Sequence, residues 1–482
     1  MKLRELLRGI RILSASADME TEIGDISYDS RTTRKGDLFT AISGFAADGH
    51  KYIGQAMEHG AAAVLCEIPP DGEIPYIQVE NTRQALSLAS RNLYGDPAGG
   101  MTMIGVTGTN GKTTVTHLIK HMLEQALGAK VGLIGTNANM IGNEILSTER
   151  TTPQSYELQK LFRAMADAGC THVVMEVSSH ALDQDRVAGI RFAVGIFTNL
   201  TQDHLDYHET MERYAQSKQK LFAICDQGVV NLDDSWAESF LRTAKCPVFT
   251  CSAKNNTADL VAKDIRLLPD RVRFCAVRTG ELQRVDLGIP GRFSVYNALS
   301  ALSACLLLGI PLAQAAEALA SARGVKGRME TVPTNGDYTV LIDYAHTPDA
   351  LENALRTVRE TAPGRVVAVF GCGGDRDRAK RPMMGKIGTE LADFSVITSD
   401  NPRTEEPEEI IREILTGVRA DKRKYIAIPD RRAAIEYVLT HHRAGDVIVL
   451  AGKGHETYQE INHMKHHMDE REIVAEILEK RK

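Results

Sequence analysis

The chain has 482 residues, room for about three domains with separate cores. Its composition, 43% apolar and 25% charged, is that of a soluble globular protein, and a net charge of −6 argues against a general nucleic-acid or membrane-surface binder. Eight cysteines without a CxxC pair predict free thiols in a reducing, cytoplasmic setting, not a disulfide or zinc framework.

In chain order, MKLRELLRGI (1–10) carries charges through its apolar positions and does not read as a signal peptide. Residues 1–98 alternate short strands with helices, and LYGDPAGG (93–100) reads as a linker. Residues 99–328 open with the strand MTMIGVTG and the helix KTTVTHLIKHMLEQAL, followed by the apolar strands THVVMEV, FAVGIFTNL and GVVNL. Their longest apolar stretch, ALSALSACLLLGI (298–310), is too short to span a bilayer. Residues 329–482 repeat a strand–helix rhythm: YTVLIDY, RVVAVFG, FSVIT, YIAIP and DVIVLAG, each expected to precede a helix. Continuous apolar strands alternating with helices predict an α/β chain whose parallel sheets are covered on both faces and bind ligands at strand carboxyl ends.

GVTGTNGKTT (105–114) joins a strand to a helix. Gly108 and Gly111 let the backbone wrap so that its N–H groups face phosphates, Lys112 supplies charge, and Thr113 or Thr114 can hold Mg²⁺. The strict GxxxxGK[ST] pattern fails at Val106, but the order of strand, glycine loop, Lys-Thr and helix is kept. Glu176 ends an apolar strand where a carboxylate can hold Mg²⁺, and His204 follows another strand. In ERYAQSKQKLFAIC, a helix would put Tyr214, Lys218, Leu221, Phe222 and Cys225 on one apolar face and Lys220 elsewhere. A buried ammonium without a partner loses its proton readily, and a neutral amine can take up CO₂ as a carbamate able to hold Mg²⁺. On spacing alone, a lysine that snorkels or pairs with a carboxylate is the plainer reading.

FGCGGDRDRAKRP (370–382) opens like a dinucleotide fingerprint, but Arg376 stands where its third glycine belongs. With Arg376, Arg378, Lys380 and Arg381 the loop suits carboxylates or phosphates better, the plainer alternative being a solvated charged surface. SDNPRTEEP (399–407) lies between a strand and a helix, where a binding loop belongs.

Taken in order with DSRTTRKGDLFTAISG (29–44), TTPQS (151–155), MEVSSHALDQDRV (175–187), TNLTQDHLDYH (198–208), PGRFSVYNALSA (290–301), GVKGRME (324–330), DYAHTPD (343–349) and AGKGHETYQ (451–459), these motifs resemble the Mur ligase family. Its members are ATP-dependent amide ligases of peptidoglycan precursor synthesis. The resemblance spans nearly the whole chain and is nearest to the branch that adds the third amino acid to UDP-N-acetylmuramoyl-L-alanyl-D-glutamate. It implies three domains: a small α/β UDP-binding domain (1–98), a central P-loop-type parallel-sheet domain (99–328) and a C-terminal Rossmann-like domain for the amino acid (329–482).

By the same resemblance, Ser30 binds the UDP end, and Thr151, Thr152, Ser178, Gln184 and Arg186 hold the muramoyl-dipeptide. Gly108, Thr109, Asn110, Gly111, Lys112, Thr113 and Thr114 bind ATP, with Asn297, Arg328 and Asp343 on the adenosine side. Glu176, His204, Thr113 and a carbamylated Lys218 hold Mg²⁺, and Lys112, Glu176, His204 and Lys218 form the catalytic set. Arg376, Asp400, Asn401, Pro402, Arg403, Gly452 and Glu456 match the diaminopimelate contacts. DNPR resembles the loop of enzymes that add meso-diaminopimelate; those that add L-lysine lack its arginine. The implied partners are small molecules, with no nucleic acid and no membrane insertion, and the implied state is a monomer.

Four alternatives stand beside this. L-lysine could replace diaminopimelate. A folylpolyglutamate synthase shares the phosphate loop but should lack the DSR domain and DNPR. A P-loop switch would more naturally carry Asp at position 176, and a nicotinamide oxidoreductase is weakened by Arg376.

Overall fold

The computed structural model describes residues 1–480 apart from 45, 46, 149, 323, 420, 422 and 423, with Asp206 described by its backbone only. The chain divides into two compact units, Met1–Thr250 and Cys251–Lys482.

The first unit holds two sheets. The smaller has five strands in the order Ile12–Ala15, Tyr76–Val79, Ala63–Cys66, Leu38–Thr40 and Ile26–Ser27, parallel except for the first pair. Residues 93–100 are not an open linker. The helix Thr82–Leu93 gives way to a 3₁₀ turn, Pro97–Gly100, and Ala98 and Met101 enter the core of the second sheet. Pro97 and Ala98 are buried because this turn packs under the sheet, which a glycine-rich sequence does not reveal.

The second sheet sets Cys225–Asn231, Phe192–Phe197, Thr102–Thr107, His172–Glu176 and Val131–Ile134 side by side, all parallel. Each strand is almost wholly buried, as apolar runs without alternation require. The helix Lys112–Leu127 starts after Gly111 and ends at Gly128, whose φ of 61° makes it a left-handed cap.

The second unit begins with an antiparallel meander, Leu260–Leu267, Val272–Arg278 and Glu281–Leu287, which the strand–helix reading did not anticipate. Here polar and apolar residues alternate, so one face is exposed. The helix Arg292–Leu307 is buried along most of its length, which accounts for the apolar stretch at 298–310.

A six-stranded sheet follows in the order Glu330–Val332, Thr339–Asp343, Val447–Ala451, Val366–Phe370, Phe394–Ile397 and Tyr425–Ala427. All neighbours are parallel except the first pair. The five expected strands are present, but the last leads into a hairpin, Tyr458–Ile461 and Met464–His467, before the helix Glu470–Glu479. Asp343, Gly371, Asp400 and Gly452 all lie at the carboxyl ends of these strands, where a doubly wound sheet opens to ligands.

Candidate active site

In the first unit, the loop after Thr102–Thr107 is built by contacts no larger residue would allow. Gly108 has φ 148°, and a Cβ there would fall 1.9 Å from the Thr198 hydroxyl. Thr198 Oγ1 donates to the Asn110 carbonyl at 2.7 Å, and the Asn110 N–H donates to Asn199 Oδ1 at 2.9 Å. Gly111, at φ 87°, turns the chain into the helix led by Lys112, so the first helical N–H groups open toward the loop. Thr113 and Thr114 follow directly and are buried.

Lys112 Nζ donates to the carbonyls of Gly108 and Thr109, at 2.9 and 2.8 Å. Lys218, 1% exposed, donates to the same Gly108 carbonyl at 2.8 Å and lies over the Tyr214 ring. It neither snorkels nor pairs with a carboxylate, so the plainer reading of its spacing is overturned. Burial, and secondarily the charge of Lys112, hold its pKa well below the ordinary lysine value. The helix ends at Gln219, and Leu221 and Phe222 are buried from a 3₁₀ turn and Cys225 from a strand, a shorter helix than the shared-face argument assumed. Lys220 points away and pairs with Asp183 at 2.9 Å.

Glu176, fully buried, ends its strand with both oxygens engaged: Thr136 donates its N–H to Oε1 at 2.9 Å and its hydroxyl lies 3.0 Å from Oε2. A Cβ on Gly135 would fall 2.4 Å from Oε1, so the preceding turn fits this carboxylate closely. Thr151 Oγ1 lies 3.0 Å from the Thr136 hydroxyl, and Thr152 Oγ1 donates to the Glu176 carbonyl at 2.8 Å. The Ser178 N–H donates to Thr152 Oγ1 at 3.1 Å, and Arg186 donates to the Thr152 carbonyl at 2.8 Å and to Gln184 Oε1 at 2.7 Å. Thr151, Thr152, Ser178, Gln184 and Arg186 thus form one connected set on Glu176. Burial, then Arg150 and Arg83, push the Arg186 guanidinium down to about 10, so this pocket carries concentrated positive charge. Ser30 lies apart, on the small sheet's loops, donating to Gln55 Oε1 at 2.7 Å.

His204 adopts φ 52° at the start of a short helix and is half exposed, its ring 4.9 Å from that of His180. Behind it His208 is buried, 2.9 Å from the Ser179 hydroxyl, and burial, then His180, push its pKa down to about 4.

The second unit carries the remaining residues. Asn297 is buried within the helix Arg292–Leu307. Asp343 accepts N–H groups of Met329 at 2.7 Å and Ala345 at 2.9 Å, its pKa raised by burial. Arg328 lies over the Tyr344 ring.

Around 400–403 the geometry is tight. A Cβ on Gly374 would lie 1.9 Å from the Pro402 carbonyl, and one on Gly371 2.2 Å from the Thr398 carbonyl. These glycines let two loops touch backbone to backbone. Asp400 is buried, and its Oδ2 has no hydrogen-bond partner among the described residues. Although burial opposes it, Lys453 and Arg431 hold the Asp400 pKa below its ordinary value, so it is a carboxylate. A Cβ on Gly452 would fall 2.5 Å from that orphaned oxygen, so glycine there keeps the space before it open. Asn401 Nδ2 donates to Glu456 Oε2 at 2.9 Å. Lys453, fully buried, donates to Asn401 Oδ1 and Glu456 Oε2, at 3.0 and 2.9 Å. Arg403 donates from Nη1 to the Gly374 carbonyl at 2.8 Å.

The basic run after Gly374 divides. Arg376 is exposed and donates only to the neighbouring Asp375 carbonyl, at 3.1 Å. Arg378 pairs with Glu413, Lys380 with the His346 carbonyl, and the fully buried Arg381 with Glu405 and Glu413. Three of the four read as anion binders are therefore engaged by the chain itself.

Sequence reasoning passed over Thr136, which orients Glu176, and Lys453, which ties Asn401 to Glu456. Lys453 stood inside a quoted motif, AGKGHETYQ, and only its burial singles it out. Among the described residues no three His, Cys, Asp or Glu side chains converge as a metal site. The candidate Mg²⁺ donors still fit a hard cation. Glu176 keeps lone pairs beyond its Thr136 bonds, the Thr113 hydroxyl lies at the helix start, and burial lowers the pKa of Lys218, which favours the neutral amine that can take up CO₂. No helix among the described residues is long and apolar enough to cross a membrane.

Comparison with known proteins finds relatives over nearly the whole chain. Residues 22–94 match the model described as Mur ligase family, catalytic domain; 106–305 match the Mur ligase middle domain; and 327–454 match the Mur ligase glutamate ligase domain. The UDP-N-acetylmuramoyl-L-alanyl-D-glutamate–2,6-diaminopimelate ligases of Clostridium tetani and Clostridium botulinum are each 47% identical, with 99% of both chains aligned. A solved structure of an enzyme of the same name is 33% identical, with a TM-score of 0.77 over 100% of this chain and 99% of the other.

Proposed function

The chain belongs to the Mur ligase family of ATP-dependent ligases, and from that premise we propose that it joins 2,6-diaminopimelate, in its meso form, to the D-glutamyl γ-carboxyl of UDP-N-acetylmuramoyl-L-alanyl-D-glutamate. The observation that carries the choice of amino acid is in the pocket at 400–403. An unpartnered buried carboxylate oxygen of Asp400 lies on the same loop as the Arg403 guanidinium. Together they complement a zwitterionic end, ammonium to Asp400 and carboxylate to Arg403. L-Lysine has no distal carboxylate and would leave the guanidinium hydrogens not taken by Glu460 and the Gly374 carbonyl unmatched.

In the proposed reaction the γ-carboxylate attacks the γ-phosphate of ATP, giving an acyl phosphate and ADP. The loop 108–114 presents backbone N–H groups to the phosphates, and Lys112 offsets charge on the transferred group. Thr151, Thr152, Ser178, Gln184 and Arg186 hold the dipeptide beside Glu176, and Ser30 holds the uridine end. Asn297, Arg328 and Asp343 receive the adenosine. The diaminopimelate amine, oriented by Asp400, Asn401 and Glu456 with Arg376, Pro402 and Gly452 lining the pocket, then attacks the acyl carbonyl and phosphate leaves. Glu176, His204, Thr113 and a Lys218 carbamate would hold Mg²⁺, which would supply charge neutralisation.

Residues 1–98, 99–328 and 329–482 are proposed as the working domains of a monomer. A cytoplasmic location is supported by eight free thiols, among them Cys225 and Cys246 with sulfurs 3.4 Å apart and unbonded. The test is phosphate release from ATP with the UDP-dipeptide present, adding meso-diaminopimelate or L-lysine. Release with diaminopimelate alone supports the reading; equal release with lysine removes the role given to Arg403; release needing neither overturns the ligase assignment.

A further inference from the structure

Arg403 sits in the left-handed region with φ 52°, a conformation a non-glycine residue keeps only where its surroundings enforce it. Here the surroundings are the hairpin Tyr458–Ile461 and Met464–His467. The Arg403 N–H donates to the Glu460 carbonyl at 3.0 Å, and the Asn462 N–H donates to the Arg403 carbonyl at 2.8 Å. The hairpin is pinned in turn, because the Glu460 N–H donates to Asn401 Oδ1 at 2.9 Å. The same glutamate also takes the side chain: Arg403 Nε donates to Glu460 Oε2 at 3.1 Å, with both side chains largely buried.

A guanidinium offers a carboxylate two forked edges, Nε with Nη2 or Nη1 with Nη2. Glu460 engages Nε and so occupies the first, and the Gly374 carbonyl takes one of the two Nη1 hydrogens at 2.8 Å, so Nη2 and the second Nη1 hydrogen are what the guanidinium has to offer a substrate. We propose that Glu460 is a positioning residue for amino-acid selection: it fixes the Arg403 guanidinium so that the Nη1–Nη2 edge meets the distal carboxylate of the substrate, making the hairpin a specificity element. This rests on the reading of Arg403 as the carboxylate grip. Without the Glu460 carboxylate the guanidinium is held by the Gly374 carbonyl alone and can turn about that contact, while the backbone bonds that clamp Arg403 in the left-handed region remain. The cost then falls on amino-acid binding, and the phosphoryl-transfer step in the other unit is spared.

Glu460→Ala and Glu460→Gln separate geometry from charge, since glutamine keeps an acceptor for Nε and loses the negative charge. The experiment is steady-state phosphate release with each of the three substrates varied in turn, with thermal unfolding measured alongside. Glu460→Ala is expected to raise KM for diaminopimelate about tenfold or more, with kcat and the KM values for ATP and UDP-dipeptide within about twofold. Glu460→Gln is expected to stay within about threefold of the parent in every parameter. An unchanged diaminopimelate KM in Glu460→Ala overturns the proposal. So does a joint rise of all three KM values with loss of thermal stability, which marks a merely structural residue. Equal impairment in Glu460→Gln overturns it in favour of a charge effect. The parent protein separates the two claims: if it uses lysine and not diaminopimelate, the functional reading falls and this proposal with it; if it uses diaminopimelate and Glu460→Ala is unaffected, only this proposal falls.

Discussion

Lys112 and Lys218 aim their amines at one acceptor, the Gly108 carbonyl, from 2.9 and 2.8 Å. Two cations share a buried carbonyl poorly, and burial, then the charge of Lys112, hold the Lys218 pKa well below the ordinary lysine value. A lysine that has given up its proton can react with CO₂, the amine nitrogen bonding to carbon and releasing a proton, and the product would turn like-charge repulsion into attraction between a carbamate and Lys112.

Lys218→Met should therefore separate stability from activity. The folded-state pKa of Lys218 lies below the ordinary lysine value of 10.5, so below that pH the unfolded chain binds the extra proton. The cost to the folded state grows as pH falls from there toward the lowered value. Methionine removes it, and the variant should unfold at a higher temperature at neutral pH, by roughly 1 kcal/mol or more, with the gain shrinking near the top of that range. Activity should fall about 100-fold or more, because no carbamate forms. A less stable variant, or one with near-normal phosphate release, would count against the neutral-lysine account.

Glu176→Gln tests the metal assignment. Glutamine can still accept the Thr136 N–H, so the fold should be kept, while the charge is lost in a fully buried place. The expected result is a fall in kcat of about 100-fold with a raised Mg²⁺ requirement, read by titrating Mg²⁺ at saturating substrates. Unaltered Mg²⁺ dependence would assign Glu176 to positioning Thr136 and Thr152 alone.

Much of this was legible because local chemistry and fold agree. A buried parallel strand must be a continuous apolar run, and a glycine loop before Lys-Thr must start a helix, so the strand Thr102–Thr107 and the helix Lys112–Leu127 could be read directly. What stayed hidden depends on tertiary contact. Nothing in the sequence says that Arg381 is buried between Glu405 and Glu413 whereas Arg376, five residues earlier, is exposed. Thr136 and Glu176 are forty positions apart and meet only because their strands are neighbours, and the pairing of Arg403 with Glu460 needs a hairpin whose exposed strand Met464–His467 carries no apolar signal.

Arg403→Ala should raise KM for diaminopimelate about 100-fold while leaving the KM for ATP near its starting value, and should narrow the preference for diaminopimelate over L-lysine. Arg403→Lys should restore little, since an ammonium cannot match the fork that donates to Glu460 and the Gly374 carbonyl at 3.1 and 2.8 Å. Competition assays with both amino acids give the ratio of kcat/KM. An unchanged ratio in Arg403→Ala would assign discrimination to other groups.

Arg381 has a different task, and pH exposes it. It donates to Glu405 at 2.7 and 2.9 Å and to Glu413 at 2.8 Å, and it is the main reason the Glu405 carboxyl is lowered from 4.5 to about 2. Between those values the unfolded chain binds a proton that the folded chain does not. The stabilisation from Glu405 is therefore fully present above the upper value and is lost as pH falls through the window. Denaturant unfolding of Glu405→Gln should show a lower midpoint than the parent at about pH 6, and the gap should narrow as pH falls from 4.5 toward about 2. Arg381→Met, which strands two carboxylates against a buried face, should cost about 3 kcal/mol at neutral pH. The pair also holds the loop that carries Gly373 and Gly374 against Pro402 and Arg403. A Glu405→Gln profile running parallel to the parent across the acid range would mean that Arg381 does not set the Glu405 ionisation.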